Sequence, residues 1–110
     1  MAYEFGDVVL VPSPFTSQVA SKRRPAVVVS GRAYNSAKPD IFIMTIRTNF
    51  IRLPHWAKWI AEWRAANLLK PSAIKPVFAT LEQSQVIKSL GVLRAGDQSA
   101  LRAAIATVLR

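Results

Sequence analysis

The sequence contains no cysteine and a single histidine, His55. Without cysteine the chain has no disulfide, no thiolate nucleophile and no cysteine ligand for a metal. One histidine is too little for a histidine-based metal site, or for a mechanism that uses two histidines as acid and base. We therefore expect a site that uses neither a metal nor another cofactor.

Acidic residues are also scarce. The chain has 6 Asp and Glu against 15 Lys and Arg, a formal net charge of +9. No acid falls between Asp7 and Asp40, a stretch that contains five cations: Lys22, Arg23, Arg24, Arg32 and Lys38. Such a charge on a small domain favours a polyanionic partner, either a nucleic acid, an acidic protein or both. A generally basic, solvated surface is the alternative interpretation.

Long apolar runs are missing as well. No stretch approaches the roughly 18 apolar residues that cross a membrane, and the N-terminus lacks the layout of a signal peptide. The hydrophobic content of 51% and the mean hydropathy of +0.20 nevertheless indicate a filled core. At 110 residues we expect a single domain over 1–110, located in the cytoplasm, with no membrane partner.

Three short apolar runs predict β-strands at 7–11, 26–30 and 40–46. The second and third runs are continuously apolar, which is typical of strands buried on both faces. We expect a loop rich in proline and serine over residues 12–21 and a polar turn over residues 31–38. Short strands joined by such loops favour a small barrel-like sheet.

A cluster of three cations, Lys22 to Arg24, stands where the first loop meets the second strand. Pro25 has a fixed φ and no N–H, so it suits the first residue of that strand. The proline also favours extended backbone geometry at Arg24. We therefore expect the Arg24 guanidinium, a planar group with several hydrogen-bond donors, at the edge of the core. This geometry suits a phosphate ligand, although a solvated loop tip would have the same sequence.

At the start of the second half of the chain, the spacing of the apolar residues changes to that of a helix. Leu53, Trp56, Ile60 and Trp63 recur at helical spacing and predict a Trp-rich helix. Its stripe is either core or subunit interface, or a surface on which bases stack.

Three further elements follow the predicted Trp-rich helix. Residues 73–81 predict a strand in which Pro76 indicates an edge or a bulge, and 86–91 predict a short helical turn or a bent strand closed by glycine. Asp97 is a candidate N-cap for a last helix. The apolar stripe of that helix is Leu101, Ile105, Val108 and Leu109.

Several motifs occur in the order and spacing of one family. They are residues 6–11, 22–30, Tyr34-Asn35, 68–72, 81–84 and 86–93. Together they resemble the MazF/PemK toxins of type II toxin–antitoxin systems over about residues 5–109. The resemblance implies an α+β, mainly β fold: a small SH3-like (PemK/CcdB-type) β-barrel with a C-terminal helix, to which the periodicity adds a Trp-rich helical insertion.

The resemblance also implies an activity and partners. The expected activity is metal-independent, sequence-specific cleavage of single-stranded mRNA that leaves 2′,3′-cyclic phosphate and 5′-OH ends. The expected partners are single-stranded RNA, an acidic cognate antitoxin of the MazE/PemI type and a second copy of the chain in a homodimer.

The residues that match the family's catalytic positions are Arg24 and, less directly, Thr48. Arg47 falls where the family has its threonine, one residue before Thr48, so Arg47 is a second candidate phosphate clamp. We predict further RNA contacts from the first loop and from two polar strand ends: Phe15, Thr16, Lys22, Arg23, Arg47, Asn49 and Gln83. Phe15 could instead anchor its loop to the core.

Two other functions stay open at this point. One is a toxin of the same fold that binds DNA gyrase in the manner of CcdB. The other is a relative that binds RNA but cleaves it poorly, because Arg47 replaces the expected threonine.

Overall fold

The structure, a computed structural model, describes residues 3–12, 23–47 and 58–109. Six strands, two helices and a 3₁₀ turn at Gln83–Gln85 account for its regular elements. In chain order they are β1 (Asp7–Pro12), β2 (Arg23–Val28), α1 (Arg32–Ala37), β3 (Asp40–Arg47), β4 (Lys58–Trp59), β5 (Ala73–Glu82), β6 (Lys88–Val92) and α2 (Ala95–Val108).

The described strands form one antiparallel sheet in the order β4-β5-β3-β2-β1-β6. The mainly β fold with a C-terminal helix is therefore confirmed. The sheet also curls, since the turn after β4 at one edge lies against β6 at the other edge. There the Asn67 side chain donates to the Leu90 carbonyl. Full closure into an SH3-like barrel stays a prediction.

Both faces of the central strands are covered. The helix-side core packs under α2 and comprises Val8, Val27, Met44, Ile46, Ile60, Ala66, Leu68, Ile74, Leu93 and Leu101. The opposite core lies on the other face and comprises Val9, Val11, Ala26, Val28, Ile41, Ile43 and Leu81. This confirms that β2 and β3 are buried on both faces, as their continuous apolar runs predict; Phe42, at 38% exposed, is the exception in β3. Full burial of each such side chain contributes about 1.5–3 kcal/mol, so these strands form a rigid support for their ends.

The predicted Trp-rich helix is wrong for the part that the structure describes; residues 51–57 lie outside it. Lys58 and Trp59 form a strand paired with β5, and 61–67 is a series of turns. The Asp97 carboxylate fixes this turn segment, since its two oxygens accept the N–H groups of Ala61 and Glu62, both at 2.9 Å. The apolar spacing of Ile60 and Trp63 is satisfied by packing against the helix-side core rather than by a helix.

Two further boundaries differ from the sequence predictions. Asp97 is not an N-cap, because α2 begins at Ala95 after Arg94 and the carboxylate is used by the turn segment instead. The predicted turn at 31–38 contains the short helix α1, which the buried Asn35 joins to the sheet. Its side-chain amide donates to the carbonyls of Tyr3 at 2.8 Å and Ser30 at 3.0 Å.

β2 begins earlier than predicted, at Arg23, and Pro25 is its third residue rather than its first. The Val29 N–H donates to Phe42, so the odd-numbered residues of β2 point their N–H groups towards β3. Pro25 lacks that donor, and the pairing of β2 with β3 accordingly stops at Ala26. On the opposite side of β2, Pro25 still pairs with Leu10 of β1.

Two irregularities agree with the sequence predictions. β5 bulges around Pro76, since its register against β3 shifts between the Met44–Phe78 and Ile46–Ile74 pairs. β6 is the bent strand, with a register shift where Val8 pairs with Gly91 and Val9 with Ser89.

Candidate functional site

The ends of β2 and β3 bring two arginines together. Ala26 pairs with Thr45 and Val27 with Met44. Continuing this antiparallel register by two residues places Arg24 opposite Arg47. The β2–β3 pairing itself ends at Ala26–Thr45, so the extended register places the two arginines on the same face of the sheet, in neighbouring positions. Both residues are half-buried, whereas Arg23 is exposed.

The arginine pair lies on the face of the opposite core. Arg24 alternates with Ala26 and Val28 along β2, and it pairs with Val11 of β1, which is fully buried. Arg47 alternates in the same way with Thr45, so the pair stands where this apolar core ends.

Thr45 is the functional candidate that sequence reasoning missed. It is 7% exposed and lies on the face of the arginine pair. Inside the apolar run 40–46 it counts as a core position of a buried strand. The signal that could have found it is its separation of two residues from Arg47, which puts both side chains on one face of a strand.

Most of the acidic residues gather at one end of the sheet, although the cations Arg32 and Lys38 also lie near that end. One end, the acidic end, carries four of the six acids, since Asp7 pairs with Val92, Asp40 pairs with Glu82, and Glu4 lies just before β1. The basic end carries Arg23, Arg24, Arg47 and, paired with Leu10, Lys88. The eight residues of β3, Asp40 to Arg47, span about 23 Å from the first Cα to the last, because each of the seven steps adds about 3.3 Å.

The two remaining acids are Glu62 and Asp97. The backbone N–H of Glu62 donates to the Asp97 carboxylate beside α2, on the helix side of the sheet. The arginine pair therefore faces away from these acids. At the acidic end, burial raises the pKa of the Asp7 carboxyl above its usual range, against the opposing hydrogen bond from the Glu4 N–H.

Gln83, a predicted RNA contact, lies at the acidic end. It follows directly after β5, whose last residue pairs with Asp40 at the start of β3. The Gln83 amide donates to the carbonyls of Asn35 at 2.7 Å and Lys38 at 3.0 Å. The structure therefore does not bring Gln83 together with the arginine pair.

A cleft of about 630 Å³ opens on the other face of the sheet from Arg24. Its lining combines apolar side chains with two lysines: Leu10, Pro25, Asn67, Leu68, Leu69, Lys70, Lys88, Ser89 and Leu90. Lys88 belongs to the basic end, so the cleft and the arginine pair share that end of the sheet.

The other predicted site residues lie outside the described residues. They are Phe15, Thr16, Lys22, Thr48 and Asn49. Their predicted roles, catalytic for Thr48 and RNA-binding for the others, stay predictions. Among the residues that the structure describes, no group of three or more His, Cys, Asp or Glu side chains is placed to hold a metal ion. No helix in those same residues is both long and apolar enough to cross a membrane.

Comparison with known proteins identifies the family. Residues 4–109 match the family of PemK-like, MazF-like toxins of type II toxin–antitoxin systems. A comparison with curated proteins gave no match. The match covers nearly the whole chain, and the chain belongs to this toxin family.

Solved structures show the same fold at low sequence identity. A mycobacterial endoribonuclease in complex with its cognate antitoxin has a TM-score of 0.75 at 18% identity, with 98% of this chain and 93% of that chain covered. MazE–MazF from Deinococcus radiodurans has a TM-score of 0.74 at 16% identity, with coverages of 99% and 96%. The Mycobacterium tuberculosis toxin MazF-mt6 has a TM-score of 0.75 at 16% identity, with coverages of 94% and 95%.

Proposed function

We propose that this chain is an endoribonuclease toxin that cuts single-stranded mRNA in the cytoplasm, at a short sequence and without a metal ion. The observation that carries the proposal is the arginine pair. Like charges directly opposite one another in a sheet are destabilising, and the acidic end of this sheet lies about 23 Å away. An anion between Arg24 and Arg47 would relieve that repulsion.

The anion we assign to this place is the phosphodiester of RNA. The ribose 2′-oxygen attacks the phosphorus and the bond to the 5′-oxygen breaks, which leaves a 2′,3′-cyclic phosphate and a 5′-OH. The 2′-OH proton is lost and the departing 5′-oxygen gains one. Arg24 and Arg47 neutralise the extra negative charge on the phosphate oxygens in the transition state, each with a planar fork of donors. Thr48 remains the catalytic hydroxyl that the family resemblance implies.

Two macromolecular partners belong to the proposal. An acidic antitoxin suits the net charge of +9, and similar solved toxins are complexed with antitoxins. For a homodimer, β6 and the end of α2 offer exposed apolar side chains: Val92, Val108 and Leu109 are 50%, 42% and 67% exposed.

The test is incubation of the purified protein with a long mixed-sequence RNA in the presence of a chelator. We expect discrete cuts with 5′-OH ends and cyclic phosphates. Arg24→Ala should abolish these cuts and the inhibition of growth while leaving the fold intact. Arg32→Ala is the matched control, because Arg32 is an exposed arginine between β2 and β3 at the acidic end.

Three outcomes would contradict the proposal. Full toxicity of Arg24→Ala would remove the catalytic role of that residue. Intact RNA together with trapped gyrase–DNA complexes would instead support the CcdB-like function. RNA that is bound tightly and never cut would identify a relative without useful catalysis.

A further inference from the structure

We propose that Thr45 supplies a hydroxyl that contacts the reacting phosphate together with Arg24 and Arg47. The inference rests on the proposed function and adds a substrate-contacting residue to it. Thr45 lies two residues before Arg47 on the same face of β3, a separation of about 7 Å. It is the diagonal neighbour of Arg24 across the strand pair, with Cα atoms about 7–8 Å apart. A phosphate held by both guanidinium groups is within reach of this hydroxyl.

The surroundings of Thr45 favour a functional hydroxyl over a packing role. Its neighbours on that face include Ile43 along β3 and Ala26 on β2, both fully buried. Valine has nearly the same shape and would fit this apolar core without a polar atom. Among the described residues, no fully buried side-chain oxygen or nitrogen lacks a hydrogen-bond partner. What distinguishes the Thr45 hydroxyl is therefore its position on the face of Arg24 and Arg47, not a missing partner. Its place, between the core and the arginine pair, puts it next to the expected anion.

The β5 bulge is an independent observation at the same position. β3 pairs with β5 through Met44–Phe78 and then through Ile46–Ile74, so the register shifts across Thr45. Three residues of β5, 75–77, are therefore accommodated opposite this single residue of β3. Bulges occur often beside active sites, where they change the direction of a side chain or interrupt pairing.

The bulge leaves the alternation of side chains between the two faces of β3 undisturbed. The extra residues are in β5, while the β2–β3 pairs Val28–Ile43, Val27–Met44 and Ala26–Thr45 are regular. Residues 43, 45 and 47 of β3 consequently share one face. Within the part of the chain that the structure describes, the Thr45 hydroxyl therefore lies on the face of Arg24, two residues before Arg47.

The experiment compares Thr45→Val with Thr45→Ser under single-turnover conditions, with mixed-sequence single-stranded RNA as the probe. We expect Thr45→Val to slow cleavage by about 10- to 100-fold, as for loss of one hydrogen bond to a charged transition state. Thr45→Ser should stay within a few fold of the unsubstituted protein, and the melting temperatures of both variants should stay close to its value.

A second readout is independent of folding. Phosphorothioate RNA replaces one non-bridging oxygen by sulfur, a poorer hydrogen-bond acceptor. The rate penalty for one of the two sulfur isomers should shrink in Thr45→Val and persist in Thr45→Ser. An equal penalty in both variants would overturn the proposal even if Thr45→Val were slow.

The outcomes separate this inference from the proposed function. Cleavage by Thr45→Val at the unsubstituted rate overturns the role of Thr45 and leaves the endoribonuclease intact. If the unsubstituted protein itself leaves RNA uncut, the proposed function fails, and the role of Thr45 fails with it.

Discussion

At the scale of single residues, Gln83 shows how a polar side chain can stabilise this fold at a distance from the arginine pair. Its amide donates to two backbone carbonyls, of Asn35 and Lys38, at the end of α1. We expect Gln83→Ala to lower the free energy of unfolding by about 1–3 kcal/mol, because it leaves carbonyl groups without a donor. Urea denaturation measures this change, and Gln85→Ala, at an exposed position of the same 3₁₀ turn, is the control.

The same variant distinguishes the two roles of Gln83. A structural role predicts that Gln83→Ala binds and cuts RNA normally at a temperature where it is folded. Unchanged stability with weakened RNA affinity would instead support the RNA contact that the sequence predicts.

Arg24 could be predicted from the sequence because a proline and a buried strand follow it, and both restrict its backbone. From the sequence, Arg47 could be named only as a candidate second phosphate ligand, without its position relative to Arg24. The placement of Arg47 opposite Arg24 depends on the register between β2 and β3, and a shift of one residue would turn every side chain to the other face. The two-residue spacing puts Thr45 on the face of Arg47, but only the same register shows that this is also the face of Arg24.

At the scale of secondary-structure elements, the contact between β6 and the turn segment 61–67 tests how the sheet curls. A Cβ atom on Gly91 would lie 2.9 Å from the Ala66 carbonyl oxygen and 3.0 Å from its carbon. These are backbone atoms that cannot move cheaply, so we expect Gly91→Ala to cost about 1–3 kcal/mol of stability.

Gly96→Ala is the matched control for Gly91→Ala. Nothing lies within 4 Å of the added Cβ, and the residue is in α2. Alanine there should be neutral or raise stability by up to about 1 kcal/mol, because it favours helix. Thermal melting of both variants checks the pair. Equal stability of Gly91→Ala and the unsubstituted protein would mean that β6 and the turn segment are not in close contact.

Strands β1, β2, β3 and β5 were predictable, whereas β4 and the segment after it were not, for a physical reason. A continuous apolar run such as that of β3 can be buried on both faces by its neighbours, whatever the details of the fold. The apolar spacing of Ile60 and Trp63 fits a helix equally well as turns packed on a core. The deciding interactions are long-range, namely the β4–β5 pairing and the Asp97 carboxylate, 36 residues from Ala61. Tertiary contacts of this kind override local periodicity.

At the scale of the whole molecule, the directions of the strands determine where the unevenly distributed charges of the sequence lie on the sheet. β1 and β3 run from acid to base, whereas β2 and β5 run back, so their antiparallel pairing collects like charges at the same end. The net charge of +9 and the absence of acids between Asp7 and Asp40 indicated a polyanionic partner. Only the topology shows that Arg23, Arg24, Arg47 and Lys88 lie at one end of the sheet.

This charge separation predicts a steep salt dependence of RNA binding. Each phosphate contact to a single strand contributes about −0.7 to the slope of log affinity against log salt, because counterions are released. Arg47→Ala should therefore make the slope shallower by about 0.7. The measurement is the affinity for an RNA with a 2′-deoxy nucleotide at the cut site, which prevents cleavage, between about 50 and 200 mM salt. Arg32→Ala, near the acidic end, should leave the slope unchanged. If both variants lower the slope equally, RNA binds the general basic surface rather than the arginine pair.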